Sequence, residues 1–141
     1  MENFFRQAVA GIMLVVVLSV PAGASTLPAE PLTDQAIDFL ELLDQGNYTD
    51  AWLEISALGQ LLKNQDEWQN HLQAIRAAYG NLTLRQFDRI SYRESYSRSP
   101  DGQYMIIQFT TNFQHKTATI ETVVLDCSNA PDCSVREYII Y

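Results

Sequence analysis

The sequence is poor in the residues that catalytic and metal sites most often use. It has two histidines and two cysteines in 141 residues, and neither histidine belongs to a His-x-x-x-His or His/Cys cluster. Such clusters are typical of zinc sites, so we predict no metal. The chain also lacks a glycine-rich loop for phosphate and a local signature of a serine or cysteine nucleophile. We therefore predict no cofactor and no catalytic residue set.

Positive charge is scarce as well. Seventeen acidic residues stand against nine basic ones, which gives a formal net charge of -8. An acidic surface repels phosphate backbones and anionic lipids. We therefore expect no nucleic-acid partner.

The first 24 residues have the pattern of a secretory signal. Arg6 precedes the apolar run AVAGIMLVVVLSV, Pro21 ends that run, and Ala22-Gly23-Ala24 supplies small residues for a signal peptidase. We predict a signal peptide over residues 1–24, cleaved after Ala24, and hence a periplasmic or secreted protein with no stable membrane insertion after cleavage. The alternative is an uncleaved N-terminal anchor.

The two cysteines are close together in the sequence. Cys127 and Cys133 enclose SNAPD, whose Asn, Pro and Asp favour a turn. In an oxidising compartment a neighbouring pair of this kind is expected to form a disulfide. A redox pair would favour the tighter C-x-x-C spacing, so we predict a structural bond.

Apolar spacing predicts helices first and strands afterwards. An extended leader over residues 25–32 precedes helices over residues 33–45, from residue 46 onwards, and over residues 66–79. From residue 82 the period changes to two, which predicts strands over residues 82–97, 103–113, 117–126 and 134–141. This order predicts a single α+β domain over residues 33–141, with N-terminal helices packed on one face of a curved antiparallel sheet of about four strands.

The hairpin of the second and third strands decides where the polar side chains lie. With an even number of loop residues, Glu121 falls on the outer face beside Gln108 and Thr110, and the face with Met105 and Phe109 builds the core. An odd loop would instead place Glu121 opposite Phe109 inside the core, which would favour an enzyme. We expect the even loop.

Two arginines complete a candidate polar site. Arg76 and Arg85 can pair with Glu121 or with helix carbonyls, and one of them can hold an anionic ligand. Together with Gln108 and Thr110, these three residues are our candidates for a polar network or a ligand contact.

General acid–base chemistry would need a carboxylate in a pocket between helices and sheet. The candidates are Asp88, Glu94, Glu121 and Asp126. Only Asp126 shares the expected core face, at a strand end where water reaches it. A structural or dimer role for Glu121 is therefore preferred over catalysis.

Several motifs resemble those of one family. PDGQYMIIQFTTNF, KTATIETV and SVREYII, with GNYTDAW and the spacing of Trp68, Leu72 and Arg76 upstream, resemble domain of unknown function family 4019, which consists of small exported bacterial proteins. Members usually carry Trp and Gly where this chain has Cys133 and Glu137. The resemblance implies a cone similar to the cystatin-like or nuclear-transport-factor-like superfold, and it implies no reaction.

The function we predict is that of an exported, non-catalytic binding or interaction module. Its partner is an unidentified protein or small ligand, and a homodimer through the open sheet face is a further expectation. The alternative is a small-ligand enzyme of the isomerase or dehydratase type with a pocket carboxylate. A core filled by Trp52, Trp68, Phe109 and Phe113 would argue against that alternative.

Overall fold

The structure, a computed structural model, describes residues 29–141. Four helices come first: α1 (Ala29–Asp44), α2 (Tyr48–Leu53), α3 (Ala57–Leu61) and α4 (Gln65–Tyr79). Four strands follow: β1 (Leu82–Arg93), β2 (Tyr104–Phe113), β3 (Thr119–Asp126) and β4 (Ser134–Ile140). The predicted α+β fold is thereby confirmed. The predicted signal peptide lies outside the described residues, and within residues 29–141 no helix is long and apolar enough to cross a membrane.

The helices begin and end where local chemistry allows. Asn64 caps α4 by accepting a hydrogen bond from the Glu67 N–H at 3.1 Å, and Gly80 ends it with a φ of 78°. Asn64 is therefore the N-terminal capping residue of α4. The predicted leader is helical from Ala29, because Pro31 lies in the first turn of α1, where no backbone N–H is needed.

The sheet is an antiparallel meander in the order β1-β2-β3-β4, so β1 and β4 form its edges. Phe109 pairs with Glu121, and Thr111 pairs with Thr119. The predicted even loop is therefore wrong: the number of residues between the last paired positions is odd, and Glu121 lies on the core face.

The turn explains this register. The backbone N–H of Phe113 donates to the Lys116 carbonyl at 2.7 Å, and the Ala118 N–H donates to the Asn112 side chain at 2.8 Å. Asn112 thus supplies an acceptor that the partner strand would otherwise provide. Alternation of apolar residues carries no information about such a side-chain bond.

One sheet face packs against the helices and forms the core. Trp52 and Trp68 contact each other with ring centroids 5.4 Å apart, and both are buried, as are Phe109 and Phe113. Residues 94–103 cover part of the opposite face, where Tyr104 is fully buried and its hydroxyl donates to the Pro100 carbonyl at 2.8 Å. Aromatic side chains therefore fill the part of the interior that these two tryptophans and two phenylalanines occupy.

A disulfide joins Cys127 to Cys133 across the β3–β4 connection, as predicted. The Gln35 side-chain amide of α1 donates to the Cys133 carbonyl at 2.9 Å. The disulfide-closed turn is therefore attached to the first helix.

Candidate functional site

A network of charged and polar side chains lies under the helices, centred on Glu121, which is fully buried. Five further side chains contribute to it from α1, α4 and the other three strands. The members of this Glu121 network are Asp44, Arg76, Arg85, Thr111, Glu121 and Tyr138.

Glu121 accepts four hydrogen bonds. Its Oε1 accepts from Arg76 Nη2 at 2.8 Å and from the Tyr138 hydroxyl at 2.6 Å. Its Oε2 accepts from Arg85 Nε at 2.7 Å and from Thr111 Oγ1 at 2.6 Å. An ionised carboxylate offers about four acceptor positions, so the protein itself fully satisfies this one.

Asp44, at the end of α1, joins the two arginines from the other side. It accepts from Arg76 Nη1 at 2.6 Å and from Arg85 Nη1 and Nη2 at 2.7 and 2.9 Å. Two guanidinium groups thus face two carboxylates, and the network is neutral. Charge neutrality and extensive hydrogen bonding are the conditions under which buried charges are tolerated.

Two further contacts hold the Arg76 guanidinium. It lies 4.9 Å from the Phe113 ring centroid and 5.9 Å from that of Tyr138, which are cation–π distances. Among residues 29–141, its buried Nε has no hydrogen-bond partner. The two aromatic rings therefore contact the cation without satisfying this donor.

Burial and charge shift the ionisation of the network. Burial raises the pKa of Tyr138 well above its ordinary value of 10.0, and the charge of Glu121 raises it further. Burial acts to lower the pKa of Arg76, but Tyr138, Glu121 and Asp44 outweigh it and raise that pKa. Tyr138 is thus held as a neutral donor beside a charged guanidinium group.

The structure places the five candidate residues from the sequence on two different sides of the sheet. Arg76, Arg85 and Glu121 come together, whereas Gln108 and Thr110 lie on the opposite sheet face. There Gln108 accepts from Arg89 Nε at 2.6 Å and donates to Thr122 Oγ1 at 3.1 Å. Gln108 and Thr110 were grouped with Glu121 only because the register was wrong.

Sequence reasoning missed Asp44, Thr111 and Tyr138. Thr111 follows from the correct register, since it lies two residues from Phe109 on the same face. Asp44 carried a weak signal, as an acidic residue at a helix end ahead of Gly46. Tyr138 carried none, because a tyrosine in a closing strand equally suggests ordinary packing.

A cleft of about 460 Å³ lies beside the network, between the end of α1 and the end of α4. Its walls include Asp44, Tyr48, Gln73 and Arg76. Asp44 and Arg76 are turned toward each other there. Within residues 29–141 no group of His, Cys, Asp and Glu could hold a metal ion.

The edge strand β1 is the second feature of the structure that bears on function. Its large apolar side chains are exposed to an unusual degree: Leu84, Phe87 and Tyr92 keep 48%, 50% and 46% of their surface in water. The exposed residues Asp88 and Arg89 lie between them. Among the residues that the structure describes, one edge of this 12-residue strand has no partner strand in the sheet.

Comparisons with curated proteins and with solved structures found no match. A family model does match, and it covers most of both structural layers, from within α1 to the start of β4. The chain belongs to the family described as Protein of unknown function (DUF4019), whose model matches residues 35–134.

Proposed function

We propose that the chain is an exported, non-catalytic interaction module that binds a protein partner along the edge strand β1. The observation that carries this proposal is the half-exposed apolar side chains of β1 beside an unpaired strand edge. A long, partly apolar edge is the kind of surface to which another chain adds a strand. Main-chain hydrogen bonds then supply affinity, and the exposed side chains supply selectivity.

The state of Glu121 supports a non-catalytic role. A general acid or base must reach a proton on a substrate, yet all four acceptor positions of Glu121 are occupied by protein donors. Glu121 is fully buried and is not among the residues that line the cleft between α1 and α4. Glu121 therefore does not support the enzyme alternative.

Export and superfold remain part of the proposal. The disulfide is compatible with an oxidising compartment, and the predicted signal peptide supplies the route. The order of helices followed by an antiparallel meander is compatible with a cystatin-like or nuclear-transport-factor-like cone. That superfold assignment stays a prediction, which a match to a solved member of the superfold would test.

Site-specific crosslinking in cells tests the binding surface. A photo-crosslinking amino acid is placed at Phe87 of the full chain, produced in a bacterium so that the host processes its N-terminal residues. The matched control carries the same group at Leu61, which is 81% exposed and belongs to α3, a helix that contacts β4 at the opposite edge of the sheet. We expect a defined protein adduct from position 87 and none from position 61.

Two results would contradict the proposal. The first is the absence of any protein adduct at position 87 in cells that contain the folded chain. The second is turnover of a substrate in a hydrolase and isomerase panel that is lost on Glu121→Gln while the circular dichroism spectrum is retained.

A further inference from the structure

We propose that the partner of β1 is a second copy of this chain, paired antiparallel about a twofold axis that passes between Asp88 and Arg89. This inference rests on the proposed function, since it names the occupant of the same edge. The result would be one continuous sheet of two four-stranded halves.

The first support is the pattern of faces along β1. Phe87 pairs with Phe109 and Ile90 pairs with Ile107, so both side chains lie on the core face. In a regular strand, residues three apart lie on opposite faces. A bulge between Phe87 and Arg89 inserts one extra residue, Asp88, and restores both to the same face.

The bulge makes the strand symmetrical about its own middle. Arg89 lies on the outer face with Gln108, and the Asp88 carboxylate lies 4.0 Å from Arg89 Nε. Outward from this pair, the core-face and outer-face positions follow in the same order in both directions. The core-face residues are Arg85, Phe87, Ile90 and Tyr92, and the outer-face residues are Leu84, Gln86, Ser91 and Arg93.

Antiparallel pairing of two such strands about this midpoint therefore places like faces together. Phe87 of each copy lies opposite Ile90 of the other, and Gln86 lies opposite Ser91. Asp88 of each copy lies opposite Arg89 of the other, so that opposite charges meet twice. Apolar and opposite-charge pairs directly across from each other are the pairs that stabilise an antiparallel ladder.

The second support is the free space beside the strand. Phe87 and Tyr92 face the same side as the helices, yet about half of each remains exposed because the helices cover the other strands. A twofold axis perpendicular to the sheet keeps both helical layers on the same side. The two β1 strands then lie side by side between these layers. Phe87 of each copy packs against Ile90 of the other copy.

An acidic extended segment of another protein is the competing occupant, because Arg89 and Arg93 lie along the edge. Asp88 would then face an acidic partner at the centre of the strand. The opposite-charge pairs of the self-pairing register use both Asp88 and Arg89, so we favour a second copy.

Charge reversal tests the register. In the full chain, Asp88→Arg makes both cross-strand pairs at the axis arginine opposite arginine, and Arg89→Asp makes both of them aspartate opposite aspartate. Molar masses are measured by light scattering for the unmodified chain, each variant, their equimolar mixture and the double exchange Asp88→Arg/Arg89→Asp. Circular dichroism establishes that each variant is folded.

We expect the unmodified chain to be a dimer. Each single variant should dimerise roughly tenfold to a hundredfold more weakly, because opposite charges become like charges at two equivalent positions. The mixture should regain the dimer, because each chain then offers the charge that the other lacks, and the double exchange should regain it alone. A general loss of fold would not be rescued by mixing.

Two outcomes would overturn the inference. A monomeric unmodified chain would do so, and so would single variants whose mixture stays monomeric. If position 87 crosslinks a different protein while the chain is monomeric, self-pairing fails and the interaction module stands. If the chain is monomeric and no adduct forms, both fail.

Discussion

Arg85 and Arg89 lie four residues apart on β1 and meet opposite environments. The Arg85 side chain is 9% exposed and bonded to two carboxylates, whereas that of Arg89 is 67% exposed. The same contrast separates two rings that contact each other, since Phe109 is 1% exposed and Phe87 is 50% exposed, with centroids 6.1 Å apart. Coverage by helices, rather than residue type, decides whether a side chain on this sheet acts structurally or remains available for binding.

Charged side chains also have different roles in these two regions of the sheet. Under the helices, two arginines are matched by two carboxylates and all four acceptor positions of Glu121 are used, which favours a single arrangement of α1, α4 and the sheet. Along β1, exposed charges are worth little to folding. These exposed charges remain available to bind a partner.

The largest expected effect comes from a substitution in the buried Glu121 network. Arg85→Ala leaves Asp44 and Glu121 short of donors inside the protein, so we expect the free energy of unfolding to fall by about 3–5 kcal/mol. Arg89→Ala should change it by no more than about 0.5 kcal/mol. Urea unfolding followed by tryptophan fluorescence measures both, at low protein concentration so that association contributes little.

Equal losses for the two arginines would contradict the assignment of Arg85 to a buried network. Arg76→Ala provides a second measurement, because it removes the other guanidinium group of the same network. We expect it to resemble Arg85→Ala.

A second pair of substitutions tests the apolar part of the comparison. Phe109→Ala removes a fully buried ring and should cost about 3–4 kcal/mol. Phe87→Ala removes a ring that is half in water and should cost about 1 kcal/mol. Thermal unfolding of the two variants at one low protein concentration, where association contributes little, is the measurement. A larger loss for Phe87 than for Phe109 would mean that β1 is covered in the folded protein.

The smallest effect concerns pH. Because the folded-state pKa of Tyr138 is raised above its ordinary value of 10.0, its contribution to stability is complete below that pH and is lost as pH rises toward the folded pKa. Tyr138→Phe should reduce this alkaline loss, at a cost near neutral pH of about 1–2 kcal/mol from a lost buried hydrogen bond. Unfolding midpoints measured across alkaline pH provide the test.

Tyr92→Phe is the matched control, since Tyr92 is exposed on β1. Its alkaline unfolding profile is the reference for that of Tyr138→Phe. Part of the alkaline loss should persist in Tyr138→Phe, because burial and Glu137 also raise the pKa of Tyr96. An unchanged alkaline profile in Tyr138→Phe would contradict the role given to Tyr138.

Much of the fold could be predicted from the sequence, and the failures have specific causes. The order of helices and strands followed from apolar period and from glycines at helix ends, and the disulfide followed from spacing. The face of Glu121 did not follow, because a change of one loop residue moves every later side chain to the other face. Arg76 and Arg85 were candidates because they can pair with Glu121 or with helix carbonyls. Asp44 and Tyr138 were missed because a helix end and a closing strand account for these residues without a network.

The sequence by itself determined the element order, the acidic balance and the membership of the family. Only the tertiary structure decided that Glu121 is buried and that Phe87 is not. The physical reason is that both depend on contacts between distant segments. A hydrogen bond from the Ala118 N–H to the Asn112 side chain accompanies the register that turns Glu121 inward. The helices pack over β2, β3 and β4, so the large apolar side chains of β1 remain about half exposed to solvent.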